Sequence, residues 1–401
     1  MNNERTYQFS DNRESGKKAV FVAIRQNAPI ARIDIAKQTG LSPATVTSIT
    51  AEMITKGLIE EVTNPNQNAA RRGRPRVDLQ VRSDAHLVAG MKLTDKYATV
   101  VIVDFVGNRV AEFSNPSPAA FQPAEDTRDF LQETLLMALD DAGLTIKALS
   151  GVGIGLPGVI DTDTGLVRWS PTIMERDVPL QQMLHDVLGV AVFIENDANL
   201  VALAEQRFGL GTKARNFIVI TIEQGVGMGI VIDGKIYRGT GGGGAELGHT
   251  KVHLDGALCR CGQRGCLEAY VGDYALLREA STTMGPLSGA NPEQQMQLLM
   301  KEAQSGNQTA LSIFQRAGRM FSMGLANVVN IFAPELIILS GERLQYDFLY
   351  DDDVIASMKQ SIVQVAGPPP EVRVHKWGDR MWAMGAATYA LEGVIDLELH
   401  G

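Results

Sequence analysis

The residues with the clearest chemistry are three cysteines and a histidine that lie close together near the middle of the chain. All the cysteines, Cys259, Cys261 and Cys266, fall within eight positions, and His249 precedes them. Three thiolates and one imidazole form the closed four-ligand set that structural zinc prefers. Three unrelated thiols beside a surface histidine are the alternative, but the clustering favours a metal site. The spacing therefore predicts structural zinc, and an odd count of three argues against a disulfide framework.

Asn196 and Asp197 lie between a predicted strand (190–194) and a predicted helix (198–207). Taken alone, this pair of residues fits a strand-end turn with a helix cap as well as a ligand site.

Length and composition are those of a globular protein without membrane segments. The 401 residues predict two or three folding units. No apolar run reaches the roughly 18 residues needed to cross a bilayer, and residues 1–18 are polar, without the apolar core of a signal peptide. We therefore expect a cytoplasmic protein that does not insert into a membrane.

The net charge of −9 is unevenly distributed along the chain. Residues 1–86 hold 13 Lys and Arg against 9 Asp and Glu, whereas the remainder holds 24 against 37. A basic N-terminal part on an acidic body indicates that only the former meets DNA phosphates. A solvated basic surface would give the same count, so the asymmetry alone is modest support.

The N-terminal pattern predicts a helix-turn-helix followed by a wing. Apolar residues recur at helical spacing over residues 17–59. Residues 33–38 would form the supporting helix, residues 39–41 the turn and residues 42–56 the recognition helix. Two short strands, 58–62 and 77–81, flank a polar segment rich in arginine, which is where a wing would lie.

Two sets of side chains in this module are candidates for contacting DNA. Small hydroxyl and methyl groups on the outward face of the recognition helix suit the major groove, and an extended, narrow arginine segment suits a minor groove. Taken alone, the helices also fit an ordinary helical hairpin, and the arginine segment also fits a solvated linker. The combination of helices, strands and arginine segment in one module favours DNA binding. The predicted contacts are Ser42, Pro43, Ala44, Thr45, Thr47 and Ser48 from the helix, and Arg71, Arg72, Arg74 and Arg76 from the wing.

The rest of the chain predicts an α/β architecture. Strands and helices alternate over some 300 residues, beginning with strands at 86–93 and 98–104 and a helix at 125–142. Residues 273–330 are mainly helical, and a helix over residues 379–392 closes the pattern.

Several motifs of this body resemble the signature of the ROK family (repressors, open reading frames and kinases). They comprise the glycine-rich stretch 222–230, Glu246-Leu-Gly-His249, the zinc motif with Glu268, Gly155-Leu-Pro-Gly158 and Glu195-Asn-Asp-Ala-Asn199. The resemblance covers about residues 86–392, and the head resembles that of the family's sugar repressors of the xylose, N-acetylglucosamine and glucose type. It implies a winged helix-turn-helix (1–85) followed by two actin/hexokinase-like, ribonuclease H-like lobes (86–195 and 196–401), with the closing helix returning to the first lobe.

The resemblance also implies a set of sugar-binding residues in a cleft between the lobes. The set is Gly158, Asn196, Asp197, Glu246, His249 and Glu268. In the family's kinases the aspartate at position 197 is the general base that deprotonates the attacked hydroxyl. One imidazole nitrogen of His249 would bind zinc while the other faces the sugar.

The phosphate loop departs from the pattern of the family's kinases. Their first strand leads into Asp-x-Gly-Gly-Thr, whereas this chain has Lys92 in place of the acidic residue and Thr94-Asp95 in place of the glycine pair. Bulky side chains and a misplaced charge would obstruct a nucleotide there. We therefore expect a degenerate kinase that binds a sugar without phosphorylating it.

Together these features predict a sugar-responsive transcription factor, most simply a homo-oligomeric repressor of carbohydrate uptake or catabolism genes. Its partners would be a palindromic operator in double-stranded DNA and a sugar or sugar phosphate effector. The enzyme alternative is a ROK sugar kinase that carries a DNA-binding head. A third possibility is a switch that responds to a protein partner and binds no small ligand.

Overall fold

The computed structural model describes residues 3–63, 77–117, 121–222, 225–289, 291–341, 351–363, 368–375 and 380–400, with side chains from residue 14 onward. No helix in these segments is long and apolar enough to cross a membrane.

The head is a three-helix unit with a small antiparallel sheet. A left-handed glycine, Gly40, ends the second helix, and Ser42 caps the third by accepting a hydrogen bond from the backbone N–H of Thr45. Strand β3 lies between β1 and β2. The elements are α1 (Asn3–Asn27), β1 (Ile30–Ala31), α2 (Arg32–Thr39), α3 (Pro43–Thr55), β2 (Ile59–Thr63) and β3 (Val77–Val81).

The first half of the body is built on a five-stranded sheet with the order β10-β7-β4-β5-β6. Strands β4, β5 and β6 form an antiparallel meander, and β7 and β10 add to β4 in parallel. The elements are β4 (Leu87–Leu93), β5 (Tyr97–Asp104), β6 (Arg109–Pro116), α4 (Ala124–Asp141), β7 (Leu149–Leu156), β8 (Val159–Asp161), β9 (Leu166–Trp169), α5 (Leu180–Leu188), β10 (Ala191–Asn196) and α6 (Asp197–Phe208).

The second half repeats this topology. Its sheet has the order β13-β12-β11-β14-β15, with an antiparallel meander on one side of β11 and two parallel strands on the other. The elements are β11 (Phe217–Ile222), β12 (Val226–Ile232), β13 (Lys235–Tyr237), α7 (Glu268–Val271), α8 (Asp273–Met284), α9 (Pro292–Gln304), α10 (Gln308–Phe332), β14 (Leu336–Ser340), α11 (Asp352–Ser361), β15 (Glu371–His375) and α12 (Arg380–His400). Two equivalent sheets behind a winged head confirm the α/β class and the two-lobed body expected from the sequence.

Helix α12 packs against the first sheet at unusually short range. A Cβ atom at Gly153 on β7 would lie 1.9 Å from the carbonyl oxygen of Ala386, and one at Gly90 on β4 would lie 2.1 Å from that of Ala383. Only glycine leaves room for the helix backbone at these two positions. The two glycines therefore fix how deeply α12 sits on the sheet.

The far end of α12 is bound to the head. Lys18 on α1 forms an ion pair with Asp396 (2.7 Å), and the Nζ atom of Lys17 donates to the carbonyl oxygen of Leu399 (3.3 Å). Apolar residues of the head, the first sheet and α12 form one continuous cluster, in which the rings of Phe21 and Phe105 lie 5.5 Å apart between centroids. The head thus shares a core with the body.

Sequence periodicity located most elements within a few residues but missed others. The strands over residues 109–116 and 371–375 were not predicted, because their alternation is mostly between exposed and half-exposed positions. The closing helix runs to His400 rather than residue 392, since its C-terminal part is apolar on the face that meets the head.

Gly153→Ala tests the close packing of α12. The added methyl group has no space beside the Ala386 carbonyl, so we expect the protein to lose about 1–3 kcal/mol of stability, measured as a fall in melting temperature. Gly16→Ala on α1 is the matched control, because its added methyl group would lie 3.7 Å from the nearest atom and alanine is the better helix former. An unchanged melting temperature for Gly153→Ala would contradict the packing.

Candidate functional site

A cleft of about 440 Å³ lies between the two halves of the body, at the carboxyl ends of β4, β7, β10 and β11. All six residues that the sequence predicted to bind sugar line this cleft, namely Gly158, Asn196, Asp197, Glu246, His249 and Glu268. The carboxyl ends of parallel strands are where α/β proteins commonly bind ligands. The structure therefore brings together residues that are up to 110 positions apart in the sequence.

Asn196 serves as the cap of α6. Its Oδ1 atom accepts hydrogen bonds from the backbone N–H groups of Ala198 (2.9 Å) and Asn199 (3.2 Å), and its Nδ2 atom donates to the carbonyl oxygen of Gly158 (2.9 Å). Gly158 has a φ of +119°, and a Cβ atom there would lie 2.1 Å from the Trp169 carbonyl oxygen. The Asn196 amide thus fixes the cleft wall at Gly158. The second N–H of its Nδ2 atom is left to bind a ligand.

Asp197 is a carboxylate held in a poorly solvated position. Burial raises the pKa of Asp197 above its usual range, and the ammonium group of Lys92 acts in the opposite direction. The Lys92 side chain is only 1% exposed, and its Nζ atom lies 3.9 Å from the ring centroid of Trp382 at the start of α12. Lys92 therefore supplies a fixed positive charge to the cleft floor.

His249 belongs both to the cleft and to the cysteine cluster. Its Nδ1 atom lies 3.6 Å from the Sγ atom of Cys259, and its Nε2 atom lies 3.9 Å from the Oε2 atom of Glu246. Burial raises the pKa of Glu246, and the nearby imidazole counteracts this shift. The two ring nitrogens thus face two different sites.

The ligand atoms of His249, Cys259, Cys261 and Cys266 all lie within 4.8 Å of one another. Cys261 and Cys266 have their sulfur atoms 3.7 Å apart. Burial raises the pKa of Cys259 to about 11, which a bound cation would reverse. Four donors at this separation can hold one metal ion.

The outward face of α3 is exposed as predicted. Ser42, Pro43, Ala44, Thr45, Thr47 and Ser48 are all exposed. Val46, Ile49 and Met53 are buried against the rest of the head. The hydroxyl of Thr47 donates to the carbonyl oxygen of Pro43 (2.8 Å). The predicted wing residues, Arg71, Arg72, Arg74 and Arg76, lie outside the described residues.

Comparison with known protein families assigns both parts of the chain. Residues 18–60 match the model of a winged helix-turn-helix DNA-binding domain, and residues 96–392 match that of the ROK family. The chain belongs to the ROK family. The match to the ROK family covers more than half of the chain. It contains all six predicted sugar-binding residues and all four residues of the cysteine cluster.

Regulators and kinases of the ROK family both resemble this chain. The xylose repressor of Caldicellulosiruptor bescii is 28% identical over 96% of this chain and 97% of its own length. A solved ROK family transcriptional regulator, a homologue of the Escherichia coli MLC protein, is 26% identical, with a TM-score of 0.81 over 97% of this chain and 98% of its own. A ROK family glucokinase from Streptomyces griseus, solved with glucose and AMPPNP, is 29% identical, with a TM-score of 0.65 over 77% of this chain and 100% of its own.

The cleft of this ROK protein contains polar residues that were not selected from the sequence. Asn199 and Thr221 are mostly buried, at 7% exposure each, and Arg260 lies nearby on the cysteine-rich loop. Asn199 is part of the 195–199 motif, and its position two residues after Asp197 in a predicted helix was the available signal. Thr221 and Arg260 carried no comparable pattern.

Lys92→Met tests the electrostatic role of Lys92 in the ROK cleft. Methionine has a similar length and no charge, so the effect of burial would lose the largest of the interactions that oppose it, and we expect the pKa of Asp197 to rise further. Carbon NMR of labelled aspartate carboxyl groups across a pH titration would measure the shift, with Asp197→Asn assigning the signal. The control is Lys96→Met, which removes an exposed lysine whose Nζ atom lies 3.4 Å from the Oε2 atom of Glu293. This change should leave the pKa of Asp197 unchanged. If the pKa of Asp197 stays the same or falls in Lys92→Met, the electrostatic role given to Lys92 is wrong.

Proposed function

We infer that this ROK protein is a sugar-responsive DNA-binding transcriptional regulator, acting as a repressor of carbohydrate uptake or catabolism genes. The observation that carries the inference is the combination of a winged helix-turn-helix with a cleft that gathers all six expected sugar-site residues. Its likeness to the xylose repressor along nearly its whole length supports the same role. An operator-binding protein works where the DNA is, so we propose a cytoplasmic location.

In this proposal the cleft binds the hydroxyl groups of a sugar. Asp197, Glu246 and Glu268 accept hydrogen bonds from them, and His249 donates through Nε2. Asn196 offers its remaining N–H, while Gly158 allows the ligand to approach the backbone closely. A sugar phosphate is a second candidate ligand, because Lys92 and Arg260 also line the cleft.

The head binds the operator through α3 and the wing. Small side chains, several with hydroxyl groups, can read base edges in the major groove. Such side chains are exposed on the first turn of α3, from Ser42 to Thr45, and at Thr47 and Ser48. Arg71, Arg72, Arg74 and Arg76 are proposed to enter the adjacent minor groove. Two such heads on a homodimer or larger homo-oligomer would require palindromic half-sites about one or two helical turns apart.

We propose that the cysteine cluster binds one structural zinc ion. Three sulfurs and a ring nitrogen of His249 within 4.8 Å of one another form the Cys3His ligand set that structural zinc prefers. A closed four-ligand shell leaves no position for a reacting water, so the metal would hold the cysteine loop and His249 in place.

We propose that the protein senses sugar without phosphorylating it. Lys92 fills the cleft floor with its own positive charge, where the family's kinases place an acidic residue. Magnesium nucleotide would meet this charge and the bulky Thr94 and Asp95 side chains, which also line the cleft. The fold shared with the glucokinase keeps a kinase with a DNA-binding head as the alternative.

The sugar signal would reach the head through α12. Trp382 at the start of this helix contacts Lys92 beside Asp197, and Asp396 near its end is paired with Lys18 of the head. A ligand can shift the head only if it binds two arrangements of this helix with different affinity. Through Trp382 and Asp396, helix α12 contacts the cleft at one end and the head at the other. A shift of this helix on sugar binding would therefore change its contacts with the head.

Asp197→Ala tests the function directly. We expect it to abolish sugar-dependent release from operator DNA while operator affinity without sugar stays nearly unchanged, because the carboxylate lies in the cleft and α3 lies in the head. Fluorescence anisotropy with a footprinted operator and a panel of D-xylose, D-glucose and N-acetyl-D-glucosamine would measure both quantities. Asp163→Ala, at an exposed turn outside the cleft, is the matched control.

Three outcomes would count against the proposal. An Asp197→Ala protein that still responds normally to sugar would remove this residue from the site. Failure of every sugar and sugar phosphate to change either DNA binding or the thermal stability of the wild type would favour a protein-responsive switch. Sugar-dependent ADP release at ordinary kinase rates, about 1–100 per second, would favour the enzyme.

Cys261→Ser tests the zinc proposal. We expect elemental analysis to find one zinc per wild-type chain and much less in the variant, together with a lower melting temperature, because the binding free energy of a structural metal contributes to folding. His253→Ala, a neighbouring histidine outside the four-ligand cluster, should keep both the metal and the stability. Wild-type protein purified without chelators that contains no metal would contradict the proposal.

A further inference from the structure

Two lysines join the recognition helix α3 directly to the last turn of α12. Lys56, the C-terminal cap of α3, donates from its Nζ atom to the carbonyl oxygen of Glu398 (2.5 Å). Lys17 of α1 lies between the two helices, because its Nζ atom pairs with the Oε1 atom of Glu52 on α3 (2.5 Å) and also donates to the carbonyl oxygen of Leu399 (3.3 Å). The helix that is proposed to read DNA is therefore bound to the same element that contacts the floor of the cleft.

The end of α12 is suited to hold lysine side chains. The last four carbonyl groups of a helix have no N–H partner within it and carry a partial negative charge, and Glu398 and Leu399 both belong to this last turn. The Lys17 side chain is 13% exposed, whereas the neighbouring Lys18 side chain is 52% exposed in its ion pair with Asp396. Salt screens a partly buried ionic contact much less than an exposed one, so Lys17 forms the stronger link to α12.

We propose that Lys17 couples the sugar cleft to the recognition helix by holding Glu52 of α3 and the Leu399 carbonyl of α12 at the same time. The proposal rests on the proposed sugar-sensing function and names the residue through which its signal enters α3. When sugar binding shifts α12, the Leu399 carbonyl moves with it, and α3 must either follow through Lys17 or lose the bridge. Both results change how α3 is presented to DNA. Lys56 is the second attachment, at the C-terminal end of α3.

Lys17→Met removes the ammonium group and keeps the approximate length of the side chain. The quantity to measure is the coupling ratio, which is the operator Kd with saturating sugar divided by the operator Kd without it, from fluorescence anisotropy. The sugar is whichever of D-xylose, D-glucose, N-acetyl-D-glucosamine and their phosphates changes operator binding of the wild type most. We expect the coupling ratio of Lys17→Met to move towards one by a factor of about 2–30. Affinity for the sugar without DNA should stay unchanged, because Lys17 does not line the cleft.

Lys18→Met is the matched control on the same helix. Among the residues that the structure describes, Lys18 makes its polar contacts with Asp396 on α12 and none with α3, so its loss should leave the coupling ratio unchanged. Glu52→Gln removes the charged partner of Lys17 on α3. Combined with Lys17→Met, it should cost no more coupling than Lys17→Met alone, because both changes act on one contact.

Three results would count against the coupling role of Lys17. A Lys17→Met protein with the wild-type coupling ratio would overturn the proposal. Operator binding that weakens equally with and without sugar would do the same, because Lys17 would then only stabilise the head. If no sugar or sugar phosphate changes operator binding of the wild type, the proposed function itself fails, and the wild-type measurement alone shows this.

Hydrogen exchange of the wild-type protein gives an independent answer should Lys17→Met not fold. Amide protection is measured with and without the same sugar, and it reports local opening of each helix. We expect protection to change in α3 together with the last turn of α12. A change confined to α12 and the body, in a protein whose operator binding responds to the sugar, overturns the proposal.

Discussion

The packing of α12 against the first sheet is the contact on which the rest of the molecule depends. Gly90 and Gly153 bring the helix backbone down to the strands, and this places Trp382 beside Lys92 at one end. The other end lies against the head, with Leu399 and Asp396 bound to lysines of α1. One rigid element therefore contacts both the floor of the cleft and the DNA-binding unit.

The cleft combines several carboxylates with the buried side chain of Lys92. Burial raises the pKa of Asp197 and of Glu246, and each has one basic neighbour, Lys92 or His249, that opposes the shift. In a kinase of this fold, a magnesium ion would bring positive charge to the cleft. Because Lys92 is part of the chain, the carboxylates keep a positive partner without a cofactor, and this suits a protein whose task is to bind a sugar.

The sequence was informative where the signal is local. The four residues of the cysteine cluster lie within 18 positions of one another, so their convergence could be predicted, and the exposed face of α3 followed from helical spacing. The contacts of Lys17 with Leu399 and of Lys92 with Trp382 join residues hundreds of positions apart, which no periodicity reveals. The capping role of Asn196 was predicted as an alternative, and the structure shows that the residue both caps α6 and lines the cleft.

The cysteine cluster and the cleft share His249. With a metal ion on Nδ1, the ring proton must lie on Nε2, which faces Glu246 and the cleft. His249 is then a fixed donor, while the carboxylate of Asp197 is an acceptor. A ligand that fits this wall needs groups that accept at one position and donate at others. Neighbouring hydroxyl groups of a sugar ring meet that requirement, because each can serve as donor or acceptor.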